Sequence, residues 1–416
     1  MAVTAKHQNR AVLLMCLTVL GMLAQIVPFV LHTVPDAAAV SALAPLPASF
    51  PSGYTIANYA KARAFDQALF GAGVINTLAT LLGLLALLRC GISERVGAVA
   101  EPKLQAWLIR ILFLMAVWLF FRLLDFPYAY CRFQHYRAFG MSALNTWAWL
   151  KLYLVGLPIP LVLFVLRGLM VICILPLCGR FWWLAGALGL FLLGSVIPEL
   201  VSRSYPLDPV QTLQAIVEGS HASAMKSQIH KAGLELPIMV VDESRRSSRA
   251  NICLTGRAGR EYVLVTDTFL QHYTPEQVAL ALAHELGHFQ HQTRILIFHK
   301  LNACLELLLS FGIAFLLTGR RPLPVSFGPR VVLLAKLCGL LVSNALTPFS
   351  LALLRQEERY ADRCALQSTG KSEAYGHLLL EVAQRELEPL DLPPWEYYLS
   401  ASHPTFKERI TSAGRK

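Results

Sequence analysis

Seven stretches of this chain are apolar over a length that leaves few architectures open. They cover residues 11–32, 71–88, 105–124, 148–175, 181–200, 295–317 and 331–353. A bilayer core about 30 Å thick takes roughly twenty apolar residues per helix, so each stretch reads as a membrane span. The composition agrees: 55% of the 416 residues are hydrophobic and only 15% charged, whereas a soluble domain is about one quarter charged. Mean hydropathy is +0.50. Lys6 and Arg10 before the first run, and Asp36 to Ala39 after it, have the look of a secretory signal. Its apolar core exceeds the roughly 7–15 residues of such signals, so it is read as a retained span.

The net charge of +11 comes from Lys and Arg scattered through loops, with no basic run interleaved with aromatics. That pattern suits anionic lipid head groups and excludes a nucleic-acid partner. Nine cysteines form no CxxC pair and several fall inside spans, so neither a disulfide framework nor a thiolate metal site is expected.

Four segments follow. Residues 1–200 form a membrane domain of five spans, 201–294 a polar segment, 295–354 two further spans and 355–416 a polar tail, with the two polar parts folding together. Residues 209–232 carry apolar positions at helical spacing (Val210, Leu213, Ile216, Val217) and predict a surface helix. The runs 236–242, 251–255 and 261–270 are rich in β-formers and predict a small sheet. Thr274, Pro275 and Gln277 form a capping-box helix start.

That helix runs into ALAHELGHFQHQ at 281–292. Residues four apart share a helix face, so His284 and His288 can hold one zinc ion with Glu285 beside a water on it. The alternative is a buried helix whose histidines are satisfied by hydrogen bonds. Catalytic zinc needs a third protein ligand and an open position. RQEERYADRCA at 355–365 offers Glu358 as that ligand, with Asp362 one turn later to accept a proton from a ligand histidine. Those charges can equally form a solvated helix face. His291 reads as a bystander.

HELGH, the Arg355–Glu358–Ala361–Asp362 pattern and SHPTFKERI at 402–410 together resemble the type I CAAX prenyl proteases, integral-membrane zinc metallopeptidases. DESRRSSRANICLTG at 242–256 resembles the family's approach to its edge strand. Residues 59–71 and 126–140 resemble its loops between early spans. The resemblance implies a mainly α, seven-helix transmembrane protein enclosing a water-filled chamber, with a zincin-like metallopeptidase domain containing a small β-sheet. Asn302 and Glu306 inside a span support a polar interior, because a carboxylate at that depth must face protein or water. Arg110, Lys151 and Lys336 also fall in or near spans, where long basic side chains can snorkel.

The resemblance further implies one zinc per chain on His284, His288 and Glu358, and Glu285 as general base. His403 would stabilise the oxyanion, and Arg355 and Arg409 would tie the Glu358 helix to the carboxyl-terminal segment. Asn251 would hold the substrate backbone, its alternative being an ordinary turn residue. Ile252, Cys253 and Leu254 would pair with an extended peptide. Leu354 stands where the family has Ser, and Phe289-Gln290 where it has Trp-Lys. These departures bear on substrate preference, not on metal ligation.

The expected activity is therefore zinc-dependent cleavage of prenylated or other membrane-associated polypeptides. A quality-control protease without prenyl specificity, and a non-catalytic scaffold or transporter, are the rivals. Transport would favour two similar halves with broken helices, which the sequence lacks; a scaffold would tolerate loss of Glu285. Charge counts of the short loops nearly balance, so they do not orient the chain. The resemblance places the peptidase zone towards the cytoplasm, in the inner membrane of a prokaryote or the endoplasmic reticulum or nuclear envelope of a eukaryote.

Overall fold

A computed structural model describes residues 2–41, 51–99, 104–196, 213–216, 218–256 and 261–414. Its helices are α1 (Ala2–Ala24), α2 (Val27–Leu31), α3 (Ala37–Ser41), α4 (Ile56–Arg89), α5 (Ile92–Gly97), α6 (Leu104–Ala138), α7 (Thr146–Val155), α8 (Pro158–Leu177) and α9 (Trp182–Phe191). After strand β1 (Leu213–Ala215) come α10 (Ser220–Lys231), β2 (Ile238–Val241), β3 (Ile252–Thr255), β4 (Tyr262–Thr266) and α11 (Asp267–His272). The chain ends in α12 (Pro275–Gln290), α13 (Gln292–Leu317), α14 (Gly328–Thr369), α15 (Ser372–Arg385), α16 (Pro394–Ser400) and α17 (Phe406–Ala413).

Among the described residues, 6 helical stretches are long and apolar enough to cross a membrane: Val12–Leu31, Ile56–Arg89, Leu104–Ala138, Thr146–Leu177, Gln292–Leu317 and Val325–Thr369. The fifth expected span, 181–200, takes a different form. Gly179, at φ +50, leads into a 3-10 turn (Gly179–Phe181); α9 follows and gives way to a π turn (Leu192–Val196), and 197–200 lie outside the described residues. The described part is about fifteen residues, roughly 22 Å of helix, short of a span on its own. It lies tightly on α13, where a Cβ on Gly186 would meet Phe311 Cε1 at 2.6 Å.

The spans bury Leu114, Ile172, Leu175, Trp182, Phe311 and Leu333 against one another. They turn outward residues such as Leu20, Leu108, Leu112, Leu123, Val162 and Leu301, as lipid-facing surfaces require. Polar pins occur where the backbone needs them. Pro127 interrupts α6, and Gln25, in the break between α1 and α2, fills the gap. Its Oε1 accepts from Tyr128 N–H at 3.1 Å and its Nε2 donates to Leu124 C=O at 3.3 Å, bridging the rung next to the one that Pro127 removes. Asn302 and Ser350 join α13 to α14 at 3.3 Å, and Glu306 bonds Ser343. Arg110 is buried over the Trp107 ring, Lys336 lies over Phe121, and Lys151 is exposed.

The polar parts do fold together. The sheet has strand order β1-β2-β4-β3, with β2 and β4 parallel and the outer pairs antiparallel. Its core packs Val263, Val265 and Ile238 against Leu280 and Leu282 of α12 and Leu379 of α15. The three predicted strands are present, but the third run, 261–270, is corrected in its second half: the strand ends at Thr266, whose side chain caps the helix Asp267–His272. The predicted helix 209–232 is corrected: Leu213–Ala215 pairs antiparallel with Met239–Val241, and the helix starts only at Ser220, after Gly219 at φ +102. Val210 and Val217 lie outside the described residues. The expected division between 354 and 355 falls inside α14, a continuous helix of 42 residues that carries both span and Glu358.

Candidate metal centre

α12 begins as the sequence dictates. The Thr274 hydroxyl accepts from Gln277 N–H, the Gln277 side chain accepts from Thr274 N–H at 2.9 Å, and Pro275 occupies the first turn. His284 and His288 then project from one face towards α14. The two helices approach closely because Gly287 carries no side chain: a Cβ there would stand 2.9 Å from Ala361 Cα and 3.0 Å from Cys364 Cβ. The glycine of HELGH and the alanine of the ExxAD pattern are thus the crossing point that lets the ligand sets meet.

Ligand atoms of His284, His288 and Glu358 lie within 4.8 Å of one another. Glu358 Oε1 is 3.2 Å from His288 Nε2, and Oε2 is 3.4 Å from His284 Nε2. Oε2 is buried and makes no hydrogen bond. A buried carboxylate oxygen with no donor carries a desolvation cost that a cation would offset. Two imidazoles and one carboxylate facing a common point form a donor set suited to zinc, and the residues fit such an ion.

Behind the ligands, His284 Nδ1 meets Asp362 Oδ1 at 2.9 Å, which leaves Nε2 free to bind. The Tyr375 hydroxyl donates to the same oxygen at 2.7 Å and stands 3.1 Å from His284 Nδ1. Arg409 grips Asp362 with two bonds of 2.9 and 2.6 Å. Burial acts to lower the His284 pKa, but the neighbouring carboxylates of Asp362 and Glu358 outweigh it and push it up to about 9. The pocket is a trap for positive charge. For Glu285, burial pushes the carboxyl above its ordinary value, against the pull of His284 and His288. Such a displacement moves a carboxylate towards the range useful to a general base.

The remaining candidates fall around one cavity of about 990 Å³, lined by His284, Glu285, Glu358, Asn251, Ile252 and His403 among others. His403 is exposed; its Nε2 lies 3.2 Å from Glu358 Oε1 and its Nδ1 2.8 Å from Ser402 Oγ. Arg355 donates to the carbonyls of Tyr397 and Ala401 at 3.2 and 2.7 Å, fastening α14 to the segment before His403. Asn251, Ile252, Cys253 and Leu254 lead into and form β3, the outer strand of the sheet. Leu254 packs on the sheet core rather than lining the cavity, and Cys253 lies within electrostatic reach of Glu285. His291 is turned away, stacked on Tyr360 and bonded to Glu357. Tyr375 and Glu386 were not legible in the sequence: neither belongs to a motif, and both act through contacts made only in the folded chain.

Comparisons with known proteins agree with this geometry. The family model "Peptidase family M48" matches residues 216–415, and "CAAX prenyl protease N-terminal, five membrane helices" matches 37–201. The "Uncharacterized metalloprotease YhfN" of Bacillus subtilis is 24% identical over 352 residues, covering 79% of each chain. "CAAX prenyl protease 1" of Saccharomyces cerevisiae is 25% identical over 218 residues, 47% of this chain and 48% of its own. The fold resembles that of a crystal structure of S. mikatae Ste24p, with TM-score 0.69 at 18% identity over 97% of this chain and 98% of that one.

Proposed function

The chain belongs to peptidase family M48, of the CAAX prenyl protease type, and is a membrane metalloendopeptidase; from that premise we propose that it uses one zinc ion to cut prenylated or other membrane-associated polypeptides. The observation that carries this reading is the convergence of His284, His288 and Glu358 beside a cavity that Glu285 and β3 also line. A zinc ion held by those three would supply a water of lowered pKa and polarise the scissile carbonyl. Glu285, on the cavity wall beside the three ligands, would accept a proton from the attacking water and pass it to the leaving amine. Asp362, held by Arg409 and Tyr375, keeps His284 in the tautomer that binds through Nε2. His403 donates to the developing oxyanion from its exposed position on the cavity wall.

The substrate lies along the outer edge of β3 as an extra strand. Thr266 N–H donates to Asn251 C=O at 2.9 Å, so Asn251 faces β4. By the alternation of an antiparallel ladder, Ile252 and Leu254 turn their N–H and C=O groups to the free edge. Main-chain pairing of this kind gives affinity with little sequence preference. The cavity is the described part of a chamber bounded by the spans, and the peptidase elements face the cytoplasm.

The test is to purify the protein in lipid, measure zinc per chain, and follow cleavage of a farnesylated CAAX peptide beside its unprenylated counterpart. We expect one zinc, faster cutting of the farnesylated peptide and loss of turnover in Glu285→Ala with zinc retained. A Glu285→Ala protein that cuts as fast as wild type overturns the mechanism; equal cutting of both peptides retires prenyl specificity.

A further inference from the structure

α15 touches the metal centre at one end and the outer strand at the other. Near its start, Tyr375 bonds Asp362 and stands against His284. Roughly eleven residues on, about 16 Å of helix, Glu386 caps its carboxyl terminus. Glu386 is only 7% exposed. Its Oε1 accepts from Ala250 N–H at 2.8 Å and its Oε2 from Arg249 Nε at 3.1 Å. These are the two residues that precede Asn251 and β3.

The same short run is gripped from the sheet side. Thr268 donates to Arg249 C=O at 2.6 Å, and the Thr266 hydroxyl accepts from Asn251 N–H at 2.9 Å. The end of α15 is itself held. Leu387 has φ 55, in the left-handed region that a helix terminus usually gives to Gly, and Glu388 N–H closes the turn on Ala383 C=O at 3.0 Å. A leucine there is strained. Its side chain is buried against Phe65 of α4 and Phe139 and Met141 that follow α6. The helix terminus that aims Glu386 is therefore anchored to the membrane helices, and the strain points to a position that matters.

We propose that α15 is a spacer that fixes cleavage register: Tyr375 ties it to the metal ligands, and Glu386 ties it to the start of β3, so that a peptide paired on β3 presents one bond to Glu285. The inference rests on the reading of β3 as the substrate edge. Glu386 is a positioning residue and touches no reacting atom. Register in a strand pair changes in steps of two when side-chain faces are kept, because a slip of one turns every side chain over. Loosening Glu386 thus predicts cuts two residues from the original bond.

The experiment maps products by mass spectrometry on one peptide that the wild type cuts at a dominant bond. Glu386→Ala, which removes both bonds, is expected to add the bonds two residues away and to raise KM about tenfold, with zinc per chain and kcat at the original bond unchanged. Glu386→Gln, which keeps an acceptor for Ala250 N–H but loses the bond from Arg249 Nε, is expected to add the same displaced bonds with a smaller rise in KM. A Glu386→Ala protein that cuts only the original bond with unchanged KM overturns the proposal. Should that variant fail to fold, Arg249→Met removes one of the two bonds and must still yield the displaced cut; a single cut there overturns the proposal equally. Leu254→Pro removes an outward donor without touching the β4 ladder. If it leaves kcat/KM at the wild-type value, the substrate-edge reading itself fails; if it lowers kcat/KM while Glu386→Ala keeps one cut, only the register proposal fails.

Discussion

Replacing Gly287 by alanine tests the geometry on which the metal centre depends. The new Cβ would stand 2.9 Å from Ala361 Cα, 3.0 Å from Cys364 Cβ and 3.3 Å from Ala361 O. Carbon atoms in contact sit about 3.5–4.0 Å apart, so α12 and α14 must part by roughly 0.6–1 Å. Two of those three neighbours are backbone atoms, which cannot swing aside as a flexible side chain would. Overpacking of this kind costs about 1–3 kcal/mol of stability. The same displacement separates His284 and His288 from Glu358, whose nitrogen-to-oxygen distances are now 3.4 and 3.2 Å. Metal bonds tolerate about 0.2 Å, and a misplacement near 1 Å costs about a hundredfold in rate. Gly287→Ala is therefore expected to weaken zinc binding in a chelator competition and lower kcat/KM by about a hundredfold, with partial recovery in excess zinc. Gly376→Ala is the control, because its Cβ would meet only Ile410 Cγ2 at 4.0 Å; it should be neutral or stabilising by up to about 1 kcal/mol. A Gly287→Ala enzyme with wild-type zinc affinity and kcat/KM would refute the close-approach argument.

Two further outcomes follow from groups around the site. Tyr375→Phe removes a hydroxyl that bonds Asp362 at 2.7 Å. Loss of such a support is expected to cost about 10–100-fold in metal affinity, read by zinc titration, while the peptide KM stays unchanged. Glu388 lines the cavity, and desolvation there pushes its carboxyl up against the opposing pull of Arg249 and His403. The folded state binds this proton more tightly than the unfolded chain. Its contribution to stability is complete below the unfolded carboxyl value and is lost as pH rises through the raised one. Glu388→Gln should match the wild-type melting temperature near pH 4 and exceed it near pH 8; an equal gap at both pH values would exclude this titration.

The candidate metal ligands were legible as a group because two constraints coincide in the sequence: only a few side chains bind zinc, and the helical period fixes their spacing. His284, His288 and Glu358 meet as that logic requires, and Thr274 caps α12 as its residue type dictates. Membrane spans were legible by length and hydropathy, except where helix geometry changes mid-run, as it does at the π turn after Phe191. Leu213 to Ala215 look helical in isolation, but an edge strand is decided by its partner, here Met239–Val241, and local periodicity carries no trace of that. Tyr375 and Glu386 escaped for the same reason. A tyrosine inside an amphipathic helix and a glutamate after it are ordinary residues until the fold brings them against Asp362 and Ala250.

The metal centre is best understood as the extramembrane end of a membrane hairpin. α12 passes into α13 with only His291 between them, and α14 carries its span straight on to Glu358. Glu306 with Ser343 and Asn302 with Ser350 pair within the spans; His291 with Glu357, Gly287 with Ala361 and His284 with Asp362 pair beyond them. These are successive contacts of one antiparallel helix pairing that continues from the spans, past the break at His291, to the ligands. The polar contacts inside the spans therefore bear on how α14 lies against α12 and α13. By fixing how α13 and α14 slide and rotate against each other, Asn302 and Glu306 fix where Glu358 arrives relative to the two histidines. Two ligands on one side of the spans and one on the other would otherwise depend on loop closure across 328–369 and 292–317, which confers no angular precision. The spans supply that precision, which explains why a peptidase site of so few residues is built on so much membrane helix.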